Sequence, residues 1–321
     1  MIASAPAIET VGLGRDYGPT RALEALDLTV GRGTLVGILG PNGAGKTTAM
    51  LLLATLLRPT RGRALVFGRD SVSERTAVRQ RLGLVFQEAS IDGLLTVREN
   101  LRFAAGLMGL GGQVAERAVT AALERTGLAG KASLPARQLS GGWRRLTDIA
   151  RATVHAPDLL ILDEPTVGLD PQHRERMWTL LDAERRERGT TVLFATHYLT
   201  EAESCDRVIL LAHGRIVAAD TPAVLMRAVG SHVVEIEGAG AEAAARALHE
   251  VATVHLTIGT DRGYRIGIGS SHGNIAQVVG ATPGVSRFAI RPVTLEDVYF
   301  ARTGSLDGMR TGAPVRAGPA T

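Results

Sequence analysis

Short apolar runs rich in β-branched residues recur along the first two thirds of the chain, at residues 35–39, 65–67, 84–86, 159–162, 192–195 and 208–211. Each reads as a strand, and longer amphipathic stretches read as helices between most of them. Strands without polar alternation are buried on both faces, so the pattern predicts a largely parallel sheet with helices packed on it. Between residues 97 and 130 the period is helical with no strong strand, and Gly127 and Gly130 read as helix stops. The expectation is an α/β domain carrying a helical subdomain at about residues 90–155.

After about Gly230 the texture changes to more glycine and shorter strand candidates. Residues 232–237 predict a strand, 241–250 a helix, 252–258 and 264–268 two strands around a turn at 261–263, 272–280 a helix and 286–290 a strand. This βαββαβ order predicts a small C-terminal α+β domain of ferredoxin-like, split-βαβ type, followed by a last helix at 294–301. The tail 302–321 has Gly, Pro, Arg and Ala and almost no apolar bulk, which predicts disorder. The expected division is residues 1–230, 231–301 and the tail.

Composition narrows the classes. A chain of 321 residues with 45% hydrophobic side chains can build about two domains with ordinary cores. Its most apolar run, 50–57, is far short of the roughly 20 residues needed to span a bilayer. Residues 1–11 lack a basic region followed by an apolar stretch, so the expectation is a cytoplasmic site of action without a secretory signal. A single cysteine, Cys205, excludes an intrachain disulfide and a zinc site of several thiolates. The net charge of +4 comes from scattered arginines and only two lysines, Lys46 and Lys131. Without a basic cluster, no nucleic-acid partner is expected.

The segment Gly40-Pro41-Asn42-Gly43-Ala44-Gly45-Lys46-Thr47 has the form G-x-x-x-x-G-K-[ST], follows the strand at 35–39 and precedes a helix expected at 47–57. Glycines there let backbone N–H groups turn inward around phosphates, and the helix N-terminus favours a polyanion. Lys46 supplies a charge to the β- and γ-phosphates, and the Thr47 hydroxyl can ligate Mg²⁺. A carboxylate pair, Asp163-Glu164, stands at the carboxyl end of the apolar strand 159–162. Ligands bind at that edge of open α/β sheets. Asp163 is a candidate for holding Mg²⁺ and Glu164 for polarising the attacking water.

Leu139-Ser140-Gly141-Gly142 opens a helical stretch at 143–154 shortly before that strand, and with it the chain resembles the ATP-binding cassette (ABC) ATPases, a P-loop NTPase family. The resemblance covers residues 8 to about 228. Tyr17 resembles the aromatic that stacks on adenine, Gln87 the Q-loop glutamine, which implies a contact with Mg²⁺, Gly168-Leu169-Asp170 the D-loop, and His197 the histidine that senses the γ-phosphate. The resemblance implies ATP as nucleotide, Mg²⁺ as cofactor, catalytic roles for Lys46, Gln87, Glu164 and His197, and nucleotide contacts from residues 40–48, including Thr48. It also implies a nucleotide contact from Asp170, and a homodimer, since Ser140-Gly141-Gly142 closes over the ATP of the opposite subunit. Trp143 stands where many members have Gln or Met, and Val167 where a small or polar residue is common.

Only one such set is present, and 94 positions separate Lys46 from Ser140, which leaves no room for a coiled-coil arm. Residues 292–300, Pro-Val-Thr-Leu-Glu-Asp-Val-Tyr-Phe, resemble the terminal helix of daunorubicin-resistance-type ATP-binding subunits of drug and lipid exporters. So does Arg144-Arg145 followed by Asp148-Ile149-Ala150-Arg151. The expected function is the ATPase of an exporter, working with a separate membrane permease at the cytoplasmic face of the membrane. The rival readings are a soluble cassette ATPase acting on nucleic acid or ribosomes, and a regulatory protein whose βαββαβ domain senses a ligand.

Overall fold

The structure, a computed structural model, describes residues 5–271 and 273–304. In chain order the first elements are β1 (Ile8–Tyr17), β2 (Thr20–Val30), β3 (Leu35–Leu39), α1 (Lys46–Leu53), β4 (Arg61–Val66), β5 (Arg69–Asp70), α2 (Arg75–Arg79) and β6 (Leu82–Val85). The helices α3 (Val97–Leu107), α4 (Gly112–Arg125) and α5 (Gly141–Thr153) follow, then β7 (Leu159–Asp163), α6 (Pro171–Arg188) and β8 (Thr191–Thr196). Next come β9 (Arg207–Ala212), β10 (Arg215–Asp220), α7 (Pro222–Arg227), β11 (His232–Glu237), α8 (Ala241–Val251), β12 (Ala252–Thr260), β13 (Gly263–Ser271), α9 (Ile275–Ala281), β14 (Arg287–Pro292) and α10 (Leu295–Thr303). Two compact units result: residues up to His197 together with Leu211–Arg215, and Tyr198–Leu210 together with the residues from Ile216 on. Among the described residues no helix is long and apolar enough to cross a membrane.

In the first unit β3, β8, β7 and β6 lie side by side and parallel, with Leu39 level with Thr196 and Asp163 level with Ala195. β3, β7 and β8 are buried along their whole length, which is why they read as uninterrupted apolar runs. Their carboxyl ends lead into residues 40–47, Asp163-Glu164 and His197, while β6 leads to Gln87. A second, antiparallel sheet has the order β2-β1-β4-β5. Its two long strands were not among the predicted elements. Gly12 and Gly14 break the pattern of β1 with register shifts, and β2 buries Leu23, Leu26, Leu28 and Val30, alternating only over its second half.

The helical subdomain closes around Val97, Leu101, Ala105, Val119, Leu123, Leu128 and Val154, contributed mainly by α3, α4 and α5. α3 starts in a capping box: Thr96 Oγ1 accepts from the Glu99 N–H and the Glu99 carboxylate accepts from the Thr96 N–H, which satisfies two otherwise unpaired donors of the first turn. Gly127, at φ +70°, follows the end of α4 as expected. Gly130 instead lies inside a 3₁₀ turn, Ala129–Lys131, and stops nothing. α1 is shorter than the expected 47–57, because the chain leaves the helix at Thr55, where φ is +63°.

In the second unit an antiparallel sheet has the order β12-β13-β11-β14, with Val234 opposite both Ile266 and Ile290. α8 and α9 pack on one face through Ala244, Ala245, Leu248 and Val279 against Val234, Ile236, Ile266 and Ile268. The expected tail begins later than residue 302: Arg302 and Thr303 close α10, and the tail from 305 lies outside the described residues, as does His272 of the expected 272–280 helix.

The other face carries a charge cluster. Arg291 donates to both Asp297 carboxylate oxygens at 2.7 Å and to Glu235 at 2.9 Å. Burial alone would raise the Asp297 carboxyl, but the Arg291 hydrogen bonds and the Thr294 N–H outweigh it and hold the group below its ordinary range. A depressed carboxyl contributes stability above the unfolded-state pKa and loses it as pH falls through the folded value. Arg291→Met, which strands the buried Asp297 carboxylate, is expected to destabilise the second unit by about 2–3 kcal/mol at neutral pH. The deficit should shrink as pH falls, because Asp297 without its arginine protonates at higher pH than the native carboxyl does. Urea titrations of the two proteins at pH 7 and pH 3.5 test this.

Candidate functional site

Residues 40–47 leave the buried end of β3 and wrap back on themselves before α1. Gly43 and Gly45 take φ of +82° and +104°, a conformation other residues rarely adopt. A Cβ on Gly40 would sit 2.2 Å from the Leu211 carbonyl oxygen, and one on Gly45 2.7 Å from that of Ala22, so no side chain fits at either place. Ala44 is buried, while Asn42 and Gly43 at the tip are exposed. Pro41 accepts the Ala44 N–H at 3.2 Å, closing the turn.

Lys46 is 6% exposed, and its ammonium donates to the carbonyls of Gly40 at 2.7 Å and Pro41 at 3.2 Å. Its Nζ lies 3.5 Å from Glu164 Oε1. Burial pushes its pKa below the ordinary lysine value, opposed by Glu164 and Asp163. Thr47 donates to Asp163 Oδ2 at 2.8 Å, and Thr48 stands beside it half-buried. His197 Nδ1 lies 2.8 Å from Glu164 Oε2. Lys46, Glu164 and His197 therefore form one polar chain, and Thr47 with Asp163 a second beside it, at the carboxyl ends of β3, β7 and β8.

Two details bear on what this site can hold. Burial raises the Asp163 carboxyl above its ordinary range, against the Thr47 hydrogen bond and the Lys46 charge. Its Oδ1 is buried without a hydrogen-bond partner. An unsatisfied buried carboxylate oxygen is costly unless a ligand completes it. A hydroxyl and a carboxylate make a hard oxygen donor set, the kind Mg²⁺ takes when phosphate oxygens and waters fill the rest of its shell. The residues present fit that ion.

The other sequence candidates lie apart from this chain of contacts. Ser140 is the N-cap of α5, Gly141 is open on its Cβ side, and Gly142 packs so closely on His173 that a Cβ would meet the imidazole. His173 Nδ1 bonds Asp170 Oδ2 at 2.6 Å and its N–H donates to Asp170 Oδ1 at 3.0 Å, contacts that hold the Asp170 carboxyl below its ordinary range. Trp143 meets His173 edge-on at 5.2 Å, with Lys131 4.7 Å from its ring. Signature and D-loop residues thus form a second cluster through His173, which carries no motif of its own. Gln87 is exposed in the segment after β6. Tyr17 is exposed at the end of β1, with the Arg15 guanidinium 4.9 Å from its ring centre.

One further residue joins the site from below. Arg145 on α5 donates to the carbonyls of Asp163, Glu164 and Pro165 and to that of Phe86. A basic residue on the buried stripe Gly142, Leu146, Ile149 was the available signal for it.

Comparison with known proteins places these features. The family described as ABC transporter matches residues 23–167. The daunorubicin/doxorubicin resistance ATP-binding protein DrrA of Streptomyces peucetius is 44% identical over 75% of this chain and 73% of its own length. The Nod factor export ATP-binding protein I of Burkholderia orbicola is 37% identical over 94% of this chain and 98% of its own. Among solved structures, a dimeric ATP-binding cassette in a post-hydrolysis state with ADP and Pi aligns with TM-score 0.61 at 27% identity, over 67% of this chain and 98% of that one. With identities above one third across most of both chains, this protein belongs to the family of ABC transporter ATP-binding proteins, ATPases built on the P-loop fold.

Proposed function

We propose that the chain is the ATP-hydrolysing subunit of an exporter for a drug-like or lipid substrate, working at the cytoplasmic face of the membrane through a separate permease. The observation that carries this reading is the chain Lys46–Glu164–His197 beside Thr47–Asp163, set at the carboxyl ends of adjacent parallel strands. Its relatives' names, one a drug-resistance protein and one an export protein, support the direction.

In this reading ATP lies along residues 40–48 with its adenine against Tyr17. Lys46 turns from the Gly40 and Pro41 carbonyls to the β- and γ-phosphates, a short move for a flexible ammonium. Thr47 and Asp163, with Gln87, would hold Mg²⁺, which neutralises phosphate charge and orients the phosphoryl group. Glu164 accepts a proton from the attacking water, and His197, already in contact with it, orients the carboxylate and answers to the γ-phosphate. Ser140, Gly141 and Gly142 of a second copy cover the same nucleotide from the far side, joined by Asp170. The solved dimeric cassette supports that arrangement. Closure favoured by ATP and reversed after hydrolysis is a population shift, driven by tighter nucleotide binding in the closed pair. We assign residues 1–230 to this motor and 231–301 to an accessory domain that stabilises the dimer or regulates it.

Glu164→Gln, stalled on ATP, should be extracted with detergent from its native membranes and its companions identified. A stoichiometric multi-span membrane protein is the expected result. Recovery from the soluble fraction alone, with ribosomes, nucleic acid or no companion, would falsify the exporter reading.

A further inference from the structure

The sequence singled out Arg144-Arg145 followed by Asp148 and Arg151, and the site as described gives three of these four residues no role. Arg145 is 5% exposed, and all three guanidinium nitrogens end on backbone carbonyls. Nε donates to Pro165 at 2.9 Å, Nη2 to Asp163 at 3.1 Å and Glu164 at 2.9 Å, and Nη1 to Phe86. Asp148, fully buried, lies 4.0 Å from Arg145 Nη1 and 2.8 Å from Arg151 Nη2. Arg151 in turn donates to the Leu84 carbonyl at 3.2 Å. One face of α5 therefore grips two places at once: the segment 163–165, and the alternate carbonyls 84 and 86 just before Gln87.

We propose that Arg145 is a positioning residue for ATP hydrolysis, holding Glu164 and Gln87 in fixed relation to each other and to the helix that begins at Ser140. The inference rests on the proposed roles of Glu164 and Gln87. Glu164 stands at φ +47° immediately before Pro165, a backbone state that a side chain and a following proline both disfavour. Its N–H donates to Ala195 O at 3.0 Å and its carbonyl accepts from Arg145, so the conformation is pinned from both sides. A planar fork with five N–H donors spreads them across carbonyls on two segments; an ammonium concentrates its three donors and its charge at one point. The bonds of Arg145 go to the catalytic segments and none of them to residues 40–47. Its loss should therefore misplace the base and leave the phosphate cradle intact.

The test uses the full chain carrying Arg145→Lys or Arg145→Gln, with ATP affinity measured at equilibrium, kcat and KM from phosphate release, and thermal midpoints recorded. Arg145→Lys is expected to bind ATP within about threefold of the native chain while kcat falls at least about 30-fold, because displacing a reacting group by an ångström costs rate far more than binding. Arg145→Gln should lose more; if it does not fold, Arg145→Lys decides the matter. A folded Arg145→Lys with kcat near the native value overturns the proposal. So does a fall in kcat matched by an equal loss of ATP affinity and a lowered midpoint, the signature of a merely structural role. Glu164→Gln is run in parallel. Native turnover there refutes the reading on which the proposal rests, whereas a silent Glu164→Gln beside an unaffected Arg145→Lys refutes the proposal alone.

Discussion

Glu164→Gln is expected to bind ATP at least as tightly as the native chain and to hydrolyse it about a thousandfold more slowly, within the range for loss of a general base. The substitution keeps the size and planarity of the side chain, so contacts like that to His197 at 2.8 Å can persist through an amide. What it removes is the ability to accept a proton. It also removes a negative charge 3.5 Å from Lys46, which frees the ammonium for the phosphates and lessens repulsion of the γ-phosphate. Binding and turnover should therefore separate. Equilibrium nucleotide binding and steady-state phosphate release on the same preparation check this, and native turnover would take Glu164 out of the mechanism.

Lys46→Ala should act on the earlier step, weakening ATP binding itself by about 100-fold, equivalent to about 2.7 kcal/mol. The buried ammonium lies within the loop and donates to the carbonyls of Gly40 and Pro41. From there a short turn of the side chain reaches the phosphates, so little ordering cost offsets the charge-assisted bonds it makes to them. The same change leaves Glu164 without its lysine partner, but His197 remains in contact with it, so the fold should survive. Titration of the variant with ATP is the check, and native affinity contradicts the assignment of residues 40–47 to phosphate.

The parallel core was legible because β3, β7 and β8 are buried on both faces and so carry unbroken apolar runs. The loop 40–47 and the pair Asp163-Glu164 were legible because each directly follows such a run. β1 and β2 were not: Gly12 and Gly14 interrupt one, and the other alternates Leu26, Leu28 and Val30 with Asp27 and Thr29 in a half-buried sheet. Residues brought together from distant parts of the chain were hidden as well. Nothing local in the sequence places Arg145 under Phe86 and Pro165, or sets His173 between Asp170 and Trp143.

In the proposed mechanism Ser140-Gly141-Gly142 of one copy completes the nucleotide site of another. The most direct measurement is the mass in solution of purified Glu164→Gln with Mg²⁺ and ATP, with ADP, and with no nucleotide. The expected result is a dimer with ATP and a monomer in the other two conditions, with the ATP dimer lost when Ser140→Arg is added to block the phosphate-facing helix start. A monomer under saturating ATP, or a dimer indifferent to nucleotide and to Ser140→Arg, contradicts it.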